Sequence, residues 1–498
     1  MAKGTRNKTW IFLLLILLLG LLVRLWHLDS QDLWLDEALS IHDTKRPAFL
    51  IVSYMDTTPP LYNLLLHFWI VLGGMSVWWV RLFSVLFGVG VIFLAYLLAQ
   101  RLFDKKTGLI AACLIACAPV FIYYSQEARA YSLLFFLVLA SMYFYLRLAQ
   151  TPHLKWRILY LIATALMLYS HLYAIFIVVA QNADMLWRRR HSLMKSTTWM
   201  ATQALLIIIA LPWLWQIPSI ASQDAQSWIP SPTLLDLVKL PSFFFEGVLF
   251  SFSGVLLTLL MLTLAVWGWR SSPSEAKPLL GAWIALPIAI PFLLSLFFSS
   301  FFYMRYTLIA ALPLFLLAAR PLPKRYLIFG CILLLSLPII FAQQNTLIKE
   351  PWGEISKDVR ELHRENDSIG IMIEYDKYPF AYYHKRECIS DKDIEKCLRN
   401  NNIIPLRSSQ DADLLSPKNA LLIVSHGQFE PQAQAIWKAL EGRYDITLEK
   451  TYTLQPKTSR KGYDFLLEHD FATLRLNDVK LYSLAGRNST TIPKKQTI

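Results

Sequence analysis

The stretch "WIFLLLILLLGLLVRLWHLDSQDLWLDEALSIHD", residues 10–43, runs from a hydrophobic segment into five acids: Asp29, Asp32, Asp36, Glu37 and Asp43. Three cations, Lys3, Arg6 and Lys8, precede it, so the opening has the outline of a secretory signal. Its apolar run at residues 10–26 is longer than the usual h-region, and no A-x-A-like cleavage site follows it. The segment therefore reads as a retained transmembrane helix, and the acids as the first polar stretch after it.

Composition extends this reading to the whole chain. Of 498 residues, 55% are hydrophobic and 17% charged, against roughly 25% charged in ordinary soluble domains. The expected fold class is a polytopic α-helical membrane protein. Apolar runs recur at about 10–26, 77–99, 108–124, 129–148, 157–170, 172–187, 197–216, 245–269, 279–299, 306–319 and 326–342, eleven in all.

The net charge of +13 would point to nucleic acid if it formed one patch on a soluble domain. Instead its basic clusters, the N-terminus, "RLFDKK", "LKWR", "WRRRHSLMK", "RSSPSEAKP" and "ARPLPKR", all fall on one side of an eleven-span topology. That side is cytoplasmic by the positive-inside rule. The first loop, residues 27–76, the turns "YSQEAR" and "YSHLY", the stretch 217–244 and the tail from 343 then lie outside, which in a bacterial inner membrane means the periplasm.

The expected domains are thus a membrane domain, 1–342, and a soluble periplasmic domain, 343–498. The tail carries 23 Lys plus Arg against 22 Asp plus Glu, so the basic excess belongs to the membrane half. "DSIGIMI", "ALLIVSH" and "DVKLYSL" read as strands and "EPQAQAIWKALEGR" as an amphipathic helix ending near Gly442, which makes the tail α/β. Cys388 and Cys397 lie in this tail, and a disulfide between them is compatible with export. Cys113, Cys117 and Cys331 sit in apolar runs, where cysteine acts as a small hydrophobe.

Candidate site residues gather on the outer side. On a helix Asp29, Asp32 and Asp36 would share a face, while Glu37 is turned about 100° from Asp36. The two neighbours therefore need separate roles, and the other acids read as a solvated face. "YMDTTPPLYNLLLHFW", residues 54–69, combines Asp56 with a rigid proline pair and an interfacial helix. "YYSQEARAYSLL" places Glu127, Arg129 and Tyr131 at a helix junction, "YSHLY" supplies His171, and "FFYMRYTLIA" supplies Arg305.

Carboxylates opposite cations at the outer leaflet suit a lipid phosphate. If a sugar is displaced from a polyprenyl phosphate, a carboxylate can take the proton of the incoming hydroxyl. The leaving phosphate, with a second pKa of about 6, departs as an anion once cations stabilise it. One carboxylate and one arginine suffice, and a single displacement inverts the anomeric centre.

The chain resembles the GT-C integral-membrane glycosyltransferases, in particular the RgtA/B/C/D-like branch related to protein O-mannosyltransferases and aminoarabinose transferases. The likeness rests on "LWLDEA", "DTTPPLYNLLLHFW", "YYSQEARAYSLL" with "LASMYFYLR", "YSHLY" and "MRYTLIAALP", in that order over residues 10–342. It implies Asp36 as catalytic base with Glu37 supporting it or binding acceptor or metal, Arg305 and Arg129 at the donor phosphate, and Asp56, Glu127, Tyr131 and His171 shaping the site. The partners it implies are a polyprenyl-phosphate sugar and a periplasmic acceptor: lipopolysaccharide, another glycan or glycolipid, or a protein. Thr58 stands where many relatives have a histidine before the proline pair, so no essential metal or other cofactor is expected. A transporter or flippase of lipid-linked anions is the competing class. It fits less well, because the midspan regions are nearly free of charge.

Overall fold

The computed structural model describes residues 2–53, 59–188, 196–216, 229–247, 251–298, 300–323, 325–346, 348–364, 367–425, 431–453 and 478–487. The chain forms two compact units. One comprises Met1–Leu28 and Ala48–Asn345, the other Asp29–Pro47 and Thr346–Ile498. The acidic segment therefore groups with the C-terminal chain, not with the helices that flank it in sequence.

Among the described residues of the first unit, seven helices are long and apolar enough to cross a membrane: Lys8–Leu25, Val77–Leu102, Tyr131–Gln150, Thr197–Leu214, Phe252–Ser271, Lys277–Ser295 and Tyr326–Asn345. The pair Lys105–Ala116 and Pro119–Ser125, bent by 61°, makes an eighth if it counts as one span. Three of the eleven apolar runs give shorter pieces. Leu154–Leu168 and Ala174–Arg188 have 15 residues each, and the third divides into a 3-10 helix, Met304–Ala310, and the nine-residue Ala311–Ala319. Fifteen residues rise only about 22 Å, short of a hydrocarbon core of about 30 Å.

Leu14, Ile208, Leu293 and Leu334 are exposed on these helices, as a surface in contact with lipid requires. Inside, polar side chains bond across helices. The Tyr160 hydroxyl donates to Gln181 Oε1 at 3.0 Å, and the Gln181 amide donates to Ser141 Oγ at 2.8 Å. The Tyr145 hydroxyl and Arg188 Nε both donate to Asp184 Oδ2 at 2.6 Å, so this buried carboxylate is paired. Such bonds supply specificity where lipid offers no hydrophobic drive.

The 61° bend has a local cause. Pro119 has no N–H to donate to the Ile115 carbonyl, and Ala118 before it is extended, with φ −73° and ψ 120°. Arg24, fully buried at the end of the first helix, supplies the missing donors. Its Nη2 donates to Ile115 O at 3.1 Å, Nη1 to Ala116 O at 2.9 Å and Nε to Ser125 Oγ at 3.1 Å. A cation at a helix C-terminus also complements the helix dipole. Gly88 makes room for the clamp, because a Cβ there would stand 2.2 Å from Ser125 Oγ and 3.1 Å from Arg24 Nε.

The second unit holds a five-stranded sheet: β1 Ser368–Ile371, β2 Ile403–Pro405, β3 Asn419–Val424, β4 Tyr444–Tyr452 and β5 Val479–Gly486, in the order β2-β1-β3-β5-β4. β1 pairs in parallel with β2 and β3, with Ile369 opposite both Ile403 and Leu421. β5 runs antiparallel to β3 and β4. The three strands read from sequence become β1, β3 and β5, and the amphipathic helix spans Pro431–Glu441. β2 has three residues and β4 is mostly exposed, so neither carries a clear apolar pattern. Cys388 and Cys397 form a disulfide, with Cα atoms 5.4 Å apart.

Replacing Arg24 with methionine takes the guanidinium donors from the buried Ile115 and Ala116 carbonyls, at about 1–3 kcal/mol for a carbonyl left unsatisfied. Thermal unfolding of the purified Arg24→Met protein in detergent should show a marked fall in midpoint. An unchanged midpoint would mean that the bend does not need this arginine.

Candidate functional site

In the second unit the helix Leu35–Asp43 starts after an extended Trp34 and places Asp36 and Glu37 in its first turn, where negative charge favours the helix dipole. Their side chains part company there. Glu37 is fully buried and its Oε2 accepts from Lys349 Nζ at 2.9 Å. Asp36 is partly exposed, and its backbone carbonyl accepts from Ser40 Oγ at 2.8 Å.

Asp29 and Asp32 precede the helix, so the shared face expected for Asp29, Asp32 and Asp36 does not form. Asp32 is also no merely solvated acid. Its Oδ2 accepts from Gly353 N at 2.6 Å, in the first turn of the helix Trp352–Leu362. Asp43 lies 3.9 Å from Arg46.

In the first unit, residues 126–130 leave the helical path between Pro119–Ser125 and Tyr131–Gln150. Gln126 anchors this turn through its amide, which donates to the carbonyls of Arg24 at 3.0 Å and Trp26 at 2.9 Å. Glu127 is 1% exposed, Arg129 is partly exposed and Tyr131 is buried. Arg305, 9% exposed, sits on the 3-10 helix Met304–Ala310, where backbone geometry departs from the α-helix that follows.

Aromatic rings join these elements. The Arg305 guanidinium lies 4.9 Å from the Tyr303 ring and 6.0 Å from the Tyr131 ring. Tyr131 lies 4.8 Å from Tyr124 and 6.1 Å from His171, and His171 lies 4.9 Å from Tyr306. Tyr124 is within electrostatic range of Glu127, Tyr131, Tyr303 and Arg305. Four of the sequence-derived residues, Glu127, Tyr131, His171 and Arg305, thus surround one aromatic cluster. Arg129 acts electrostatically on His171 alongside Arg305. Asp56 lies outside the described residues.

Desolvation, then the charges of Arg129 and Arg305, push His171 down to about 3. The ring is neutral near pH 7, and its Nδ1 accepts from Tyr173 N at 3.1 Å, which leaves the proton on Nε2. The imidazole is thus a neutral neighbour of both guanidinium groups. Among the described residues no three His, Cys, Asp or Glu side chains come together as a metal-binding group.

Lys239 carries no motif and escapes a reading by sequence pattern. It is 4% exposed on the helix Leu234–Glu246, which packs against both Pro119–Ser125 and Met304–Ala310. Its only sequence signal is a single cation within an apolar, aromatic segment.

The family profile described as dolichyl-phosphate-mannose-protein mannosyltransferase matches residues 57–215. No curated protein sequence gives a significant match. Among solved structures, apo ArnT from Cupriavidus metallidurans is similar at TM-score 0.57 and 14% identity, covering 96% of this chain and 98% of ArnT. The same protein bound to undecaprenyl phosphate gives TM-score 0.57 at 13% identity, covering 97% and 99%. The Archaeoglobus fulgidus oligosaccharyltransferase in complex with Zn and sulfate gives TM-score 0.51 at 12% identity, covering 88% and 72%.

The depressed pKa of His171 has a stability consequence. Below about 6.5, the ordinary value, the unfolded state takes up a proton that the folded state refuses until about 3. Folding stability should therefore fall as pH drops through that window. Thermal midpoints between pH 7 and pH 4 should fall less steeply for His171→Asn than for the parent, and parallel curves would contradict the burial of a neutral ring.

Proposed function

Starting from a multi-pass membrane chain with the fold of the GT-C glycosyltransferases, we propose that it transfers a sugar from a polyprenyl-phosphate donor to a periplasmic acceptor, with inversion at the anomeric carbon. The observation that carries this reading is Arg305: a buried cation on a break in helical structure, set among tyrosines and beside a histidine held neutral. A guanidinium held among tyrosine rings at such a break can present its N–H groups to the oxygens of an anion. The likeness to a structure that binds undecaprenyl phosphate supports a lipid phosphate as that anion.

In this mechanism Asp36 accepts the proton from the acceptor hydroxyl as its oxygen attacks the anomeric carbon. The bond from that carbon to the phosphate oxygen breaks, and Arg305 with Arg129 stabilises the leaving polyprenyl phosphate. Asp36 suits the role of base because it lies in the first turn of a helix, partly exposed, while its neighbour is engaged in an ion pair. Glu127, Tyr131 and His171 shape the site around Arg305. The acceptor is an envelope component: lipopolysaccharide, another glycan or glycolipid, or a protein.

Mass spectrometry of envelope glycans and lipid-linked sugars, with and without the gene, identifies the donor as the polyprenyl-phosphate sugar that accumulates. Asp36→Asn should lower transfer by about 10²–10⁴-fold, the usual contribution of a general base. Arg305→Met should lower it by about 10²–10³-fold, as for loss of an anion-stabilising donor. Full transfer by a folded Asp36→Asn protein would sink the base assignment, and full transfer by Arg305→Met the phosphate site.

A further inference from the structure

Building on the assignment of Asp36 as base, we infer that Glu37 and Lys349 form a positioning pair through which the C-terminal chain sets the orientation of Asp36. A nine-residue helix is marginal on its own in water. Leu35–Asp43 is such a helix, and within its unit it is held at several points by residues from beyond position 345.

The first hold is the ion pair itself, Lys349 Nζ to Glu37 Oε2 at 2.9 Å, with the two side chains 7% and 0% exposed. The backbone that carries Lys349 is fixed in turn, because Gln31 Oε1 accepts from Ile348 N at 3.0 Å and from Lys349 N at 3.1 Å. Asp32 reaches the first turn of Trp352–Leu362 through Gly353 N, and a Cβ on Gly353 would stand 3.1 Å from its carboxylate. Leu33 N donates to the Tyr383 hydroxyl at 2.8 Å.

At the far end of the helix, His42 Nδ1 lies 3.0 Å from the Ile389 carbonyl, and Ile389 follows a cysteine of the Cys388–Cys397 disulfide. The His42 ring also packs on Tyr378 at 5.1 Å. The helix is therefore tied down both along its length and about its axis.

Rotation about the axis is what matters for Asp36. Adjacent residues project about 100° apart on a helix, so fixing the direction of Glu37 fixes that of Asp36. A buried carboxylate in a 2.9 Å ion pair with a buried ammonium has little freedom to turn. Glu37 accordingly touches no reacting atom in this account. It acts through Asp36, on the same helix.

The test uses the full-length chain with Glu37→Gln, Lys349→Met, Lys349→Arg and Asp36→Asn. Two quantities are read: transfer in cells, from accumulated polyprenyl-phosphate sugar and unmodified envelope glycan, and binding of undecaprenyl phosphate by the purified proteins. Glu37→Gln and Lys349→Met should each lower transfer by about 10²-fold, the cost of a base misplaced by about 1 Å, with undecaprenyl phosphate affinity unchanged. Lys349→Arg, which keeps the charge, should recover most of that loss.

Wild-type transfer by Lys349→Met, or a loss confined to Glu37→Gln, would overturn the pair as a positioning device. In the second case Glu37 itself would be chemical. Loss of undecaprenyl phosphate binding in both single variants would overturn it too, in favour of a general folding role. Full transfer by Asp36→Asn is a separate outcome, which removes the base assignment on which the pair depends.

Discussion

A carbonyl freed from its helix inside a bilayer has no water to turn to, and each such group left alone costs several kcal/mol. The bend at Pro119 frees the Ile115 carbonyl, and the fully buried Arg24 answers it with a guanidinium that reaches Ile115, Ala116 and Ser125. The first helix thereby holds the start of the turn that presents Glu127, Arg129 and Tyr131. Gln126 ties the same turn to the backbone of residues 24 and 26. The aromatic cluster around Tyr124 and Tyr131 begins where this clamp ends.

The cluster itself follows from the cost of burying charge. Arg305 and Arg129 act on a ring, His171, that is kept neutral, and tyrosine faces give the Arg305 guanidinium favourable contact. The second unit treats its acids in the opposite manner. Glu37 is buried and paired, Asp32 bonds to a helix terminus, and Asp36 remains partly exposed. Three carboxylates within six residues thus have three different fates.

Much of this is legible in the sequence. The first apolar helix, the other apolar runs and the α/β tail are set by composition and periodicity, and Val77–Leu102 or Tyr131–Gln150 leave little choice. The acids at 36 and 37 are separable from helical geometry alone. Lys239 and Arg24 are not legible, because a lone cation in or beside an apolar segment has no pattern that marks its partners. β2 and β4 escape for a similar reason: a three-residue strand and an exposed edge strand have no strong alternation to detect. Asp32 misleads, since the helix begins at Leu35, after the acid that would have extended its face.

Hydrophobicity and residue type act locally, so the apolar runs and the chemistry on offer can be read along the chain. Only the tertiary structure decided which acid is buried, which carbonyls Arg24 meets, and that residues 29–47 belong with the chain beyond 345. Those outcomes depend on contacts such as Glu37 with Lys349, 312 residues apart. No local pattern encodes a partner at that distance; the desolvation cost of a buried charge selects it only once the chain has folded.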